Sequence, residues 1–364
     1  MERFPNLEID LSKLKHNIDQ IVAKCGERGI QVAGVIKGFN GITEMTKVYN
    51  QTGCSSIATS RIEQIIDAKE AGIHGPFAMI RVPMLSEIEE VVRHCDFSLN
   101  SEKIVLDAIN EECLKQGKRH GVLLMSDLGD LREGFWDKEE LIQMARYVEH
   151  QLSNVDLRGI GTNLGCYGSI KATPEKLNEL VELAEEIEKG IGRQLEIISG
   201  GGTTTLPIVF DGTVPPRINH LRIGEGIILA YDMMVQFGVD MSFLNQDVFT
   251  LRAQVIEVKD KPSYPVGELS FDAFGQVGEY EDRGMRRRAL VALGKVDFAF
   301  TDMLMPRNKK VEIMGASSDH LILDIEACKE EICVGDIVEF DLCYATMVFA
   351  TSSKNIHLTF KNQM

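Results

Sequence analysis

A lysine stands at the end of an almost wholly apolar run: in QVAGVIKGFNG, Lys37 follows Ala33-Gly34-Val35-Ile36. Such a run suits a strand buried on both faces, and an ammonium at its end is costly unless it has a task. Partial desolvation lowers an amine's pKa and leaves it nucleophilic, as a lysine needs in order to form a Schiff base. The plainer alternative is a strand-end lysine pointing into solvent. Two further stretches, Ser199-Gly200-Gly201-Gly202-Thr203-Thr204-Thr205 and Arg222-Ile223-Gly224-Glu225-Gly226, are rich in glycine. Glycines let backbone N–H groups converge on an anion, and Thr203 and Thr204 add hydroxyl donors, although ordinary turns also use glycine. Eight cysteines (Cys25, Cys54, Cys95, Cys113, Cys166, Cys328, Cys333, Cys343) form no CxxC pair and no zinc-like Cys/His spacing. They are expected to be reduced thiols, seven of them buried or half-buried packing residues, with Cys166 kept as a candidate for chemistry. No metal site is expected.

The elements that must position these residues can be read from hydrophobic period. From about residue 30 to 230, eight β-rich runs alternate with amphipathic segments: QVAGVI (31–36), SSIATS (55–60), FAMIRVP (77–83), DFSLNS (96–101), GVLLMSD (121–127), DLRGIGTN (156–163), LEIIS (195–199) and HLRIG (220–224). In the segments between them apolar residues recur three and four apart, and Ser101 and Thr173 are expected as helix caps. Eight strand–helix alternations predict an α/β fold, a (β/α)8 TIM barrel with its chemistry at the C-terminal ends of the strands. Lys37 then follows the first strand, and the two glycine-rich stretches follow the seventh and eighth, where barrels often bind phosphate. A phosphate cradle opposite a strand-end lysine points to pyridoxal 5′-phosphate, a cofactor that needs both.

Beyond about residue 245 the texture changes to alternating strands separated by turn residues: VFTLRAQVIEVKD, RRALVALGKVDFAF, KKVEIMGASSDHLILDI and GDIVEFDLC. The expected organisation is a barrel domain over 1–235 and a C-terminal all-β domain over 245–364, with the strand-like segment 5–10 joining the β domain. A length of 364 residues exceeds what one core usually supports. The net charge, 39 − 55 = −16, argues against nucleic acid or anionic lipid as partner and leaves a small-molecule substrate. No basic leader followed by an apolar stretch, and no run of roughly 20 apolar residues, is present, so the expected location is the cytoplasm.

LEIDLSKLKHNI followed by VAGVIKGFNG resembles the opening of the alanine racemase family, and GTNLGCYG, SDLGDLREGFW, EDRG and GASSDHLILD are most similar to its ornithine racemase branch. The resemblance spans the chain. It implies a pyridoxal-phosphate barrel with a β domain, a homodimer with shared active sites, and racemisation of an amino acid, ornithine or a related cationic one first. Lys37 then matches the cofactor-bearing lysine and one of two proton-transferring bases. Arg222 matches the arginine facing the pyridine nitrogen, and its guanidinium cannot give up a proton; the plainer alternative pairs it with Glu225. Arg132 matches the arginine that holds the cofactor's phenolic oxygen and the substrate carboxylate. Ser199, Gly201, Thr203 and Gly224, with Glu225 beside them, fall where the family binds phosphate. Asp319 matches an aspartate near the substrate, and the Ser318 backbone would help to bind its carboxylate.

The second half of the family's machinery departs. The usual tyrosine base has no counterpart in PVGELSFDAFG (265–275). Counting from Gly267 puts Asp272 in its place, and a closed site would raise that carboxyl's pKa toward neutrality. Cys166, Tyr167 and His320 are the rivals. Asn163 stands where the family carries a supporting histidine, and Met125 replaces a lysine. Asp127, Asp130, Asp272 and Asp319 are the carboxylates considered for a distal substrate ammonium. The alternatives are an alanine or broad-specificity racemase, a decarboxylase or lyase of the same fold, and a non-catalytic cofactor-holding regulator.

Overall fold

The computed structural model describes residues 2–328 and 331–362, and it divides into two compact units, one of residues 14–245 and one that joins the chain up to Lys13 to the chain from Gln246 onward. The first strand, β1 (Asn6–Asp10), belongs to the second of these units. The barrel unit carries β2 (Gln31–Val35), β3 (Ser56–Thr59), β4 (Phe77–Met79), β5 (Phe97–Asn100), β6 (His120–Met125), β7 (Val155–Gly161), β8 (Ile197–Ser199) and β9 (His220–Ile223), which close into an eight-stranded parallel barrel in sequence order. Each expected run forms a strand at its own place. Several are shorter than the apolar run, and FAMIRVP contributes only Phe77–Met79, because Arg81 turns away to an ion pair with Glu87 and Pro83 cannot donate to a ladder.

The strands pack on both faces, which is why they read as continuous apolar runs rather than as alternations. Inside the barrel, small residues such as Ala33, Ala58 and Ala78 lie among Val35, Phe97, Leu99, Leu123, Met125 and Ile197. The helix Pro174–Ile191 begins as expected: Thr173 accepts a hydrogen bond from the Lys176 N–H, and Gly192 ends it in the left-handed region. Ser101 does not cap; the helix Lys103–Gln116 starts one residue later on Glu102 without a side-chain cap.

The β unit contains β10 (Phe249–Pro262), β11 (Met285–Val291), β12 (Met305–Pro306), β13 (Glu312–Ala316), β14 (Leu321–Asp324), β15 (Ile337–Asp341) and β16 (His357–Lys361). Its sheet runs β12-β15-β10-β11-β14-β13, with β1 antiparallel to β10 and parallel to β16. Two stretches depart from the strand reading. Lys295–Phe298 is a helical turn, and Tyr344–Ala350 is a helix although its aromatic and β-branched residues suit a strand; Thr346 Oγ1 accepts from the Cys343 N–H at its start. None of the eight cysteines forms a disulfide among the described residues, and Cys333 is exposed rather than buried because it sits in a turn braced by Asp336. Among the described residues no helix is long and apolar enough to cross a membrane, and no cluster of His, Cys, Asp and Glu could hold a metal.

Candidate active site

Barrel closure brings the first and last barrel strands side by side, with Ala33 opposite Arg222 and Gly34 opposite Ile223. Lys37 begins a single 3-10 turn, Lys37–Phe39, immediately past β2, and the buried Phe39 ring stacks on buried Tyr49 at 5.6 Å to fix that turn. The lysine's side chain can be reached by solvent at the open barrel mouth, yet protein surrounds enough of it to desolvate the ammonium. That desolvation, reinforced by the charge of Arg132, holds its pKa below the usual lysine value, with Arg222 adding to the shift and Cys166 and Glu133 opposing it. Lys37 Nζ makes no hydrogen bond or ion pair among the described residues, so its amine is not committed to a structural role.

Arg222 is buried, and its fork is held at two points: Nη1 donates to Ser199 Oγ at 2.5 Å and Nη2 to the Thr162 carbonyl at 2.7 Å. Both acceptors are neutral, and no carboxylate ion-pairs with it among the described residues, so the pairing with Glu225 does not form. Burial pushes this guanidinium down to about 10, still charged at neutral pH. Ser199 is buried and its Oγ also lies 2.8 Å from His220 Nδ1, so in this structure its hydroxyl is shared between Arg222 and His220.

Arg132 sits on a loop shaped by two aspartates. Asp127 Oδ1 accepts from the N–H groups of Gly129 and Leu131, and buried Asp130 accepts from Gly165, Cys166, Tyr167 and Ile170. Asp130 is thus a clasp for the 165–170 loop, which presents the exposed Cys166 and Tyr167, and is spent as a partner for a substrate ammonium. Burial alone would raise its pKa, but these backbone donors outweigh it and the pKa is lowered. Asp130→Ala is expected to cost about 2–4 kcal/mol of local stability, since several N–H groups lose a charged acceptor; faster hydrogen exchange at Gly165–Tyr167 is the check. In the native protein this stabilisation is complete above the ordinary carboxylate pKa and is lost as pH falls through the lowered folded value. Arg132 itself forks onto Glu133, with Nη2 2.5 Å from Oε1 and Nε bonded to Oε2. Glu133, half-buried and one of the charges acting on both Lys37 and Arg222, was not anticipated.

The glycine-rich stretches form a close-fitting cradle. A Cβ on Gly202 would lie 2.8 Å from the Arg222 carbonyl, one on Gly226 would strike Leu206 at 2.7 Å, and Gly201 has φ +103°. Thr203 Oγ1 accepts from the Gly226 N–H at 3.1 Å and ties the two stretches together, while Thr204 is turned to the Leu164 carbonyl. Gly224 packs against Val35, so the cradle abuts the strand that leads to Lys37. The Glu225 carboxyl faces Asp232, and burial first, then that neighbour's charge and hydrogen bond, push it up to about 7 from 4.5. The fold favours its protonated form, so its contribution to stability is greatest below pH 4.5 and declines as pH rises to about 7. Glu225→Gln is accordingly expected to raise the melting temperature relative to the parent at pH about 8 and much less at pH about 5, read by thermal unfolding at both.

Residues 9–232 match the family model described as alanine racemase, N-terminal domain. The chain belongs to the alanine racemase family. It is 36% identical over 353 residues to the ornithine racemase of Acetoanaerobium sticklandii, covering 97% of this chain and 98% of that protein. It is 37% identical over 350 residues to the lysine racemase of Thermotoga maritima, covering 96% of each. Among solved structures, an alanine racemase of Clostridium difficile 630 shares the fold with a TM-score of 0.77 at 18% identity, covering 98% of this chain and 96% of that one.

In this member of the alanine racemase family, Asp272, Ser318, Asp319 and His320 all lie in the β unit. Asp272 is fully exposed; its Oδ1 accepts from the N–H groups of Phe274 and Gln276, both at 2.8 Å, and these bonds lower its pKa. That is the opposite direction to the shift expected of a base in a closed site. Ser318 Oγ donates to Asp319 at 2.6 Å in the turn between β13 and β14. Lys295 links the two regions: its N–H donates to the Ser317 carbonyl, its Nζ lies 4.2 Å from the centre of the Phe274 ring, and its charge acts on Asp272. Sequence reasoning did not single it out. Met125 is buried in the barrel core, so the replaced lysine has become packing. Asn163 keeps a buried Nδ2 with no hydrogen-bond partner.

Proposed function

We propose that the protein is a pyridoxal 5′-phosphate-dependent racemase that interconverts the L and D forms of a cationic amino acid, ornithine first and lysine next. The observation that carries this reading is the placement of a desolvated lysine just past the end of β2 and a buried arginine on the adjacent strand β9, with the arginine's hydrogen bonds going to neutral acceptors. Two relatives that match across nearly the full chain are racemases of ornithine and of lysine.

The residues fit the cofactor. Asn163 offers a buried donor that lacks an acceptor among the described residues, Gly201, Gly202 and Gly226 leave room that a Cβ would fill, and Arg222 is a buried cation with no direct ion pair among the described residues. Gly201, Thr203, Gly224 and Glu225, the last through its backbone, would hold the phosphate, Lys37 the aldehyde carbon, Arg222 the ring nitrogen, and Arg132 the phenolic oxygen. When bound, the cofactor supplies an electron sink that acidifies the substrate Cα–H.

The chain's own groups supply the rest. Lys37, with its lowered pKa, takes or returns the Cα proton on one face near neutral pH. Arg222 donates hydrogen bonds but no proton, so it would leave the ring nitrogen unprotonated and the electron sink weaker, which favours return of the Cα proton over side reactions. The Arg132 fork suits the substrate carboxylate, and Ser318 and Asp319 are the β-unit groups proposed near it. For the second face we propose Asp272, delivered by a second copy of the chain, with Cys166 as the rival carried on the barrel's own loop. A homodimer is supported by the loop around Asp272, which exposes Val266, Leu269, Phe271, Phe274, Val277 and Tyr280, more apolar surface than a monomer usually leaves in one segment. Eight cysteines with no disulfide among the described residues support a reducing, cytoplasmic location.

Incubation of the cofactor-loaded protein in heavy water with L-ornithine, L-lysine, L-alanine and L-serine, reading deuterium at Cα and the enantiomer ratio, tests the reading. Deuterium gain and an equal D/L end point with ornithine or lysine are expected. Loss of carboxylate or of side chain instead of racemisation would overturn it. In the same assay Asp272→Asn is expected to slow exchange from one enantiomer more than from the other; equal slowing would pass the role to Cys166.

A further inference from the structure

Building on the racemase reading, we propose that His220 is a positioning residue for Arg222, acting through Ser199 to fix which way the guanidinium faces. The hydrogen-bond chemistry has one consistent solution. A guanidinium has N–H donors only, so Ser199 Oγ must accept from Arg222 Nη1 at 2.5 Å. The hydroxyl still has one proton to place, and His220 Nδ1 lies 2.8 Å away. Donation to Nδ1 requires a neutral imidazole with its own proton on Nε2. The reverse arrangement would leave the Ser199 proton with no acceptor in a buried site. It would also allow a charged imidazole beside a buried guanidinium, two desolvated cations in contact. Burial, and then the charge of Arg222, push His220 down to about 3, in agreement with the neutral form.

Strand register makes the chain of bonds. Ser199 on β8 lies opposite His220 on β9, and His220 and Arg222, two residues apart on β9, point to the same face. The Thr162 carbonyl on the far side of the fork is the second anchor, and two anchors define the plane of a guanidinium. Without the Nδ1 acceptor the Ser199 hydroxyl can turn its proton toward Arg222, where N–H and O–H oppose each other, and the plane is released. His220 reaches Arg222 through Ser199 Oγ, so its effect is on orientation.

The test has two parts. In the protein without cofactor, nitrogen NMR of 15N-labelled histidine is expected to show His220 as the Nε2–H tautomer, not titrating near neutral pH, with that bias lost in Ser199→Ala. In the loaded protein, His220→Leu is expected to lower kcat on the order of 10- to 100-fold with KM little changed and to shift the 15N signal of the cofactor ring nitrogen. His220→Asn, whose Oδ1 can accept in place of Nδ1, should restore most of both. A His220 that carries its proton on Nδ1, or a His220→Leu variant that loses kcat while the ring-nitrogen signal stays unchanged, would overturn the proposal. Absence of Cα exchange in the parent protein would overturn the racemase reading instead, without altering the tautomer result.

Discussion

Lys37→Ala is expected to give a folded protein that holds no covalently attached cofactor and exchanges Cα protons at least about ten-thousand-fold more slowly, the upper end of what a positioned acid–base group supplies. The loss should be nearly pure chemistry. The Lys37 side chain has no hydrogen bond or ion pair among the described residues, and its ammonium is repelled by Arg132 and Arg222, so its removal should change stability by no more than about 0.5 kcal/mol. Borohydride reduction of the loaded parent followed by peptide mapping should find the cofactor on the peptide that carries Lys37, and on none in the variant. A covalent adduct that survives in Lys37→Ala would move the cofactor to another lysine and dismantle the site as drawn.

Arg222→Lys should damage both fold and function, because an ammonium is a point charge and cannot span Ser199 Oγ and the Thr162 carbonyl together. A buried fork that loses a bond and leaves a buried acceptor unmet should cost about 2–4 kcal/mol, measured by denaturant unfolding. The chemical effect should be a fall of about 100-fold in kcat, since the ring nitrogen loses an oriented donor. A buried lysine, unlike arginine, also has a proton to surrender, so transaminated by-product should accumulate in long incubations of the variant and not of the parent. Unchanged stability together with unchanged product purity would show that the fork geometry is immaterial.

The barrel was readable from the chain because a strand packed on both faces writes itself as a short apolar run, and QVAGVI and GVLLM do so unmistakably. Lys37 and the glycine stretches were readable for the same reason, as polar or glycine residues placed where such runs end. The partnership of Ser199 with His220 and Arg222 was not, because it depends on which residue of β8 faces which residue of β9, a register that no pattern within either strand records. Glu133 escaped notice as one acid among many, and Lys295 as an ordinary cation in a strand-like run that in fact turns helical. The helix Tyr344–Ala350 was hidden by strand-favouring residues, whose preference the surrounding packing overrides.

The seam between β2 and β9 has a consequence for how the protein comes into being. Arg222 stands on β9 and Lys37 just past the end of its paired strand β2, yet 222 − 37 = 185 residues separate them along the chain. At a translation rate of about 5–20 residues per second, the ribosome makes the lysine roughly 10–40 s before the arginine that is to face its cofactor. A nascent chain therefore carries the reactive amine without the barrel that disciplines it. On the proposed reading, cofactor capture would be a late event in biogenesis, and the holo form a certificate that the last strand has found the first.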